Sequence, residues 1–152
     1  MTATEARPKA EVFKLEAPLL SLGRDNHPLV RSEGMSLTLK VYAEGGENAM
    51  HYHLNEEHSF IVLQGQATFH LDSDENTRVV GQWEGVFLPK GAQYYFQSTG
   101  NENLVLLRVG APGIRGEDGR RDPRGDLLVG HSEANKHIDG VPIAGKFFPP
   151  PL

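Results

Sequence analysis

The stretch Gly45-Gly46-Glu47-Asn48-Ala49-Met50-His51-Tyr52-His53-Leu54-Asn55-Glu56-Glu57-His58-Ser59-Phe60-Ile61-Val62-Leu63-Gln64-Gly65 opens on two glycines and closes on a third. Residues two apart on a strand share a face, so His51 and His53 project to one side. Four residues, Leu54 to Glu57, then separate them from His58, which begins the apolar run Ser59 to Leu63. A hairpin at those four residues brings three imidazoles together, and imidazole is a ligand for most first-row transition metals.

Working outward, the same strand grammar repeats. Leu37, Leu39, Val41 and Ala43 alternate with Ser36, Thr38, Lys40 and Tyr42, the period of a half-buried strand. Ala67, Phe69 and Leu71 alternate with Thr68 and His70, and short apolar runs follow at Val86 to Leu88, Tyr94 to Phe96 and Leu104 to Val109. Gly65, Asp72 to Asn76, Gly81, Gly85, Pro89 to Gly91 and Gly100-Asn101 punctuate them as turns. No segment here carries a helical stripe. Short strands between Gly and Pro turns predict an all-β sandwich or barrel.

The 152 residues fit one domain with arms, and no internal repeat divides them. We place a flexible N-terminus at 1–11, the barrel at 12–110, and a loop with a docking C-terminal tail at 111–152. Val12 to Leu22 is expected to add an edge strand or a dimer-crossing strand. Six glycines and eight charged residues between Gly110 and Gly130 mark that stretch as an exposed loop. Apolar character returns at Val141, Ile143, Phe147 and Phe148.

Composition excludes several functions. A net charge of -5 without a basic stripe argues against a nucleic-acid partner. The absence of an apolar run of about 20 residues argues against a membrane helix, and Met1 to Lys9 lacks the apolar core of a signal peptide, so a cytoplasmic protein is expected. With no cysteine, a metal must be held by His, carboxylate, Tyr or water.

The quoted stretch resembles the first motif of the cupins. Gly81 to Gly100, with Pro89-Lys90-Gly91 and Tyr94-Tyr95-Phe96-Gln97-Ser98, resembles the second motif, Pro-x-Gly-x-x-His-x-Phe-x-Asn, with Ser98 where Asn would stand. The resemblance implies a single-domain cupin fold, a double-stranded β-helix or jelly-roll barrel with extended N- and C-terminal arms. It also implies one divalent metal ion. Two ligand positions depart from the family. Counting back from Gly65, the usual Glu is His58; counting forward from His53, Glu57 falls at a spacing the family also uses. Strand register favours His58, because a one-residue slip would turn Phe60 and Val62 outward. Glu57 stays as the alternative ligand. In motif two the family's His is replaced by Tyr94, which either ligates through a phenolate or carries a proton beside the metal.

On this reading His51, His53 and His58 hold the metal, Tyr94 is the catalytic residue, and Phe60, Val62 and Phe96 line a dry cavity. His70, with Thr68, either joins that lining or faces solvent. Resemblance to three-His cupin dioxygenases favours Fe(II), with Zn, Ni, Mn and Cu also compatible. The expected function is dioxygenase or lyase chemistry on a small organic substrate that chelates through adjacent oxygens; the alternative is a non-catalytic cupin that binds or senses a small molecule. The outward face of Ser59 to Leu63, with Ile61 and Leu63, predicts a homodimer that covers it. His27, His131, His137 and Trp83 are expected at the surface.

Overall fold

The computed structural model describes residues 7–112, 120–128 and 137–151. His131, and part of both the N-terminal segment and the Gly- and charge-rich loop, lie outside them. Among the described residues the chain forms strands and turns without a helix. In chain order these are β1 (Ala17–Leu22), β2 (Arg24–Arg31), β3 (Ser36–Tyr42), β4 (Gly46–His53), β5 (Glu57–Gln64) and β6 (Ala67–Leu71). They are followed by β7 (Thr77–Val80), β8 (Gly85–Leu88), β9 (Tyr94–Ser98), β10 (Leu104–Ala111), β11 (Arg120–Arg121) and β12 (Val141–Phe148).

Two five-stranded sheets, ordered β2-β3-β10-β5-β8 and β11-β4-β9-β6-β7, and a two-stranded ribbon β1-β12 account for all of them. Among the described residues no ladder joins the two large sheets, so their closure is by packing. That is the jelly-roll form of the double-stranded β-helix. Tyr42, Phe60, Val62, Leu88, Leu104 and Leu106 from the first sheet meet Ala67, Phe69, Val80, Tyr94 and Phe96 from the second. Phe69 and Phe96 stack at 4.9 Å, and Phe60 meets Phe96 at 5.2 Å. This inner core fills the lower part of the space between the sheets and leaves the end near β4 and β5 to polar side chains.

The first sheet is covered on its other face as well. Leu39, Val41, Leu63 and Val105 pack with Ala17, Leu20 and Phe148 of the ribbon, with Ile61 and Leu107 beside them. This corrects the sequence reading of β3. The apolar set Leu39 and Val41 lies under the ribbon, while Lys40 and Tyr42 point between the sheets. There the Lys40 ammonium sits 5.7 Å from the Tyr42 ring and 5.8 Å from the Phe60 ring. A strand buried on both faces has no solvent side, so alternation alone does not say which face is the cavity.

The ribbon also corrects the expectation for Val12 to Leu22. β1 is not an edge strand of the main sheet; it pairs antiparallel with β12, Ala17 opposite Phe148 and Leu22 opposite Val141. At the start of β2 the Arg24 backbone N–H donates to the Ile138 carbonyl at 3.0 Å, which ties β2 to the segment leading into β12.

Candidate metal centre

Both large sheets contribute to the polar end. On the second sheet His51 of β4 is paired with Tyr94 of β9, and cross-strand partners share a face. On the first sheet His58 of β5 lies opposite Gly110 of β10 and Leu88 of β8. The hairpin expected at Leu54 to Glu57 is not formed, since β4 and β5 belong to different sheets; the loop is instead the chain's crossing from one sheet to the other, and it brings His58 onto His53. Their rings lie 4.2 Å apart, His51 and His53 5.3 Å apart, and His51 and Tyr94 4.3 Å apart. All four are buried, from 0% exposed at His51 to 9% at His53.

The hydrogen bonds orient these rings. His51 Nδ1 donates to the Ala49 carbonyl at 2.7 Å, which turns Nε2 and its lone pair away from the backbone. The Tyr94 hydroxyl reaches His53 Nε2 at 3.4 Å. The ligand atoms of His53, Glu56 and His58 all lie within 4.8 Å of one another. Two imidazoles and a carboxylate at that separation fit a single divalent ion.

The carboxylate at the site is Glu56. Glu57, the alternative ligand from motif spacing, is exposed at the first position of β5 and pairs with Ala111. Glu56 precedes the strand, so the period of two that fixed His58 says nothing of where it points. Its oxygen lies 3.5 Å from His58 Nε2 and 3.7 Å from the Arg108 guanidinium. Burial pushes the Glu56 carboxyl up, but the contact with His58 and the positive charges of Arg108 and Arg31 outweigh it and leave it below the usual carboxylate range.

Arg108 is a second residue that motif spacing missed. Its guanidinium nitrogen is 2.5 Å from His58 Nε2. Arg120 is a third: it is the ladder partner of His53, so it stands on the cavity side of β11. Both lie outside the two motifs, and Arg108 reaches His58 through the pairing of β10 with β5.

Phe60, Val62 and Phe96 lie in the inner core below the histidines, with Phe60 5.8 Å from the Tyr94 ring. His70 does not join them. It is on the opposite face of β6 from Phe69, stacked on Tyr95 at 4.1 Å with its Nδ1 2.9 Å from the Asp74 carbonyl. The Tyr95 hydroxyl donates to Asp74 at 2.8 Å; partial burial, this bond and the charges of Asp74 and Glu75 push the phenol up to about 12. His137 is engaged on both nitrogens, by Arg24 at 3.0 Å and Asp139 at 2.8 Å. Trp83 is exposed.

Residues 38–110 match the family described as Cupin domain, which spans both histidine-bearing strands, β9 and most of β10. That segment, just under half of the chain, is similar to a cupin domain. An uncharacterized protein of Aquifex aeolicus (strain VF5) is 34% identical over 71 residues, 47% of this chain and 56% of that protein, so the match spans little more than half the relative's length. Among solved structures, a Klebsiella pneumoniae protein with a double-stranded beta-helix domain superposes with a TM-score of 0.63 at 16% identity, covering 76% of this chain and 95% of that one. A Streptomyces PAC13 variant with uridine gives 0.57 at 14% identity, covering 75% and 90%. KdgF from Halomonas sp. gives 0.55 at 14%, covering 63% and 83%. At these identities the structures establish the cupin fold. Among the described residues no helix is long and apolar enough to cross a membrane.

Proposed function

We propose that this cupin is a cytoplasmic, metal-dependent enzyme acting on a small organic substrate that chelates through adjacent oxygens, by dioxygenase or lyase chemistry. The observation that carries the reading is the convergence of His53, Glu56 and His58 within 4.8 Å, beside a buried His51 whose Nε2 lone pair is turned away from the backbone. Two imidazoles and one carboxylate with further positions open is the donor set of non-haem Fe(II) sites, which supports iron over Zn, Ni, Mn or Cu. A divalent ion bound there supplies Lewis acidity and exchangeable coordination positions.

The chain's own residues do the rest. Ala49 keeps His51 in the tautomer with Nε2 as acceptor. The Tyr94 hydroxyl, next to His53 and otherwise walled by Phe60, holds or moves a proton at its Oη. Phe60, Val62 and Phe96 keep water from the floor of the cavity.

Metal content after anaerobic reconstitution with Fe(II) tests the proposal. His53→Ala, Glu56→Ala and His58→Ala are each expected to lower affinity by roughly 10-fold or more, whereas Glu57→Ala and Tyr94→Phe stay near the parent protein. Less than roughly a tenth of an equivalent of any transition metal in reconstituted protein sinks the enzyme reading. One contact favours the second reading, a non-catalytic cupin holding a small molecule: Arg108 already engages the His58 nitrogen a metal would use. The same measurement separates the two.

A further inference from the structure

Within β10, Gly110 stands between Ser36 of β3 and His58 of β5 in the row of ladder partners that crosses the first sheet at the metal centre. Glycine weakens a strand interior, so one placed there serves either its own backbone conformation or a close approach by a neighbour. The backbone makes no demand, since φ at Gly110 is not in the left-handed region. Neighbouring main chain makes none either. At Gly46 and Gly85 an added Cβ would run into the carbonyl oxygens of Phe96 and Phe60, whereas at Gly110 its three nearest atoms all belong to side chains.

Those atoms are Ser36 Oγ at 2.8 Å, Glu56 Oε2 at 3.0 Å and Arg108 Nη1 at 3.1 Å from where the Cβ would be. Glu56 therefore rests one carboxylate oxygen against Gly110, while the other, Oε1, lies 3.5 Å from His58 Nε2 and 3.7 Å from Arg108. A side chain at 110 would press on the first oxygen and push the whole carboxylate. Ser36 can swing its hydroxyl aside by rotation about one bond. Glu56 cannot yield in this way and still serve the centre, because its ligand atom has to keep its place within 4.8 Å of those of His53 and His58.

We propose that Gly110 is a positioning residue of the metal centre: its missing side chain is what lets the Glu56 carboxylate reach the ligand position beside His53 and His58. The inference rests on the reading of Glu56 as a ligand. It accounts for a glycine that neither its own backbone nor the adjoining strands require, and it makes the strand carry a local weakness for the sake of the site. Alanine and valine both suit strand conformation better than glycine, so replacing Gly110 should spare the fold and cost the metal.

Zn(II) affinity, read by competition with a chromophoric chelator, is measured for Gly110→Ala and Gly110→Val in the parent protein and in Glu56→Ala. Gly110→Val is expected to weaken Zn(II) by about 10-fold or more, as far as Glu56→Ala does, with a smaller loss from Gly110→Ala. In the Glu56→Ala background neither should weaken it further, because no carboxylate is left to displace. Metal-free Gly110→Ala should keep a dispersed amide spectrum and melt at or above the parent. Losses of the same size in both backgrounds, or no loss from either variant, overturn the proposal. So does unfolding of metal-free Gly110→Ala, which assigns the glycine to packing. Parent-like Zn(II) affinity in Glu56→Ala itself instead overturns the reading of Glu56 as a ligand, and the role of Gly110 falls with it.

Discussion

His58 Nε2 lies 2.5 Å from the Arg108 guanidinium, and an arginine only donates, so the lone pair that would bind a metal is engaged by a cation of the protein itself. Metal and Arg108 therefore compete for one atom. Arg108→Gln is expected to tighten metal binding by roughly 10-fold, because it removes both the competing donor and a like charge; a competition titration with a chromophoric chelator reads this, and an unchanged or weaker affinity refutes it. On the outer face of β6, the Tyr95 phenol pushed up to about 12 gives a second residue-level prediction. The neutral phenol is the favoured form, so its contribution to stability is complete below the unfolded value of about 10 and fades as pH rises through about 12. Asp74→Asn should move the Tyr95 absorbance midpoint back toward 10, while a midpoint that stays put would assign the shift to burial alone. The period of two made His51, His53 and His58 legible in the sequence, because all three lie on strands. Glu56 was not, since it lies in the turn before β5, and Arg108 and Arg120 were not, since they reach the site only through pairing across long separations.

At the level of elements, glycines and alternation were reliable guides to where strands begin and end, less so to which face looks inward. Gly65 ends β5 with φ of +80°, and a Cβ there would lie 2.6 Å from the Asn103 carbonyl oxygen. The obstacle is backbone of the adjoining β10 entrance, which cannot rotate away. Gly65→Ala should thus cost about 2–4 kcal/mol, from left-handed strain plus overpacking; a chemical denaturation midpoint shift too small for 1 kcal/mol would show that the turn relaxes freely. β2 and β7 had escaped the sequence reading. Arg24–Arg31 and Thr77–Val80 are edge strands, paired on one side only, with burial patterns too polar to stand out as apolar runs. β3 was found in place but is buried on both faces where a half-buried strand was expected, because the ribbon covering Leu39 and Val41 comes from segments near the two ends of the chain.

That ribbon also changes the argument about assembly. A partner subunit was expected to cover Ile61 and Leu63, yet both pack within the chain beneath β1 and β12. The demand for cover moves outward with the ribbon, to Leu22 of β1 and to Val141, Ile143 and Phe147 of β12, which are all exposed. Each strand of a two-stranded ribbon has one unpaired edge, and a second copy could satisfy both the edge and the apolar side chains. We therefore predict a homodimer through this ribbon, seen by light scattering at micromolar concentration as twice the 16.7 kDa chain. Ile143→Lys combined with Phe147→Lys should halve that mass without changing metal content, since neither residue belongs to the metal centre. Loss of metal together with the dimer would mean that the ribbon supports the cavity, and a single-chain mass for the parent protein would leave the ribbon's apolar side facing water.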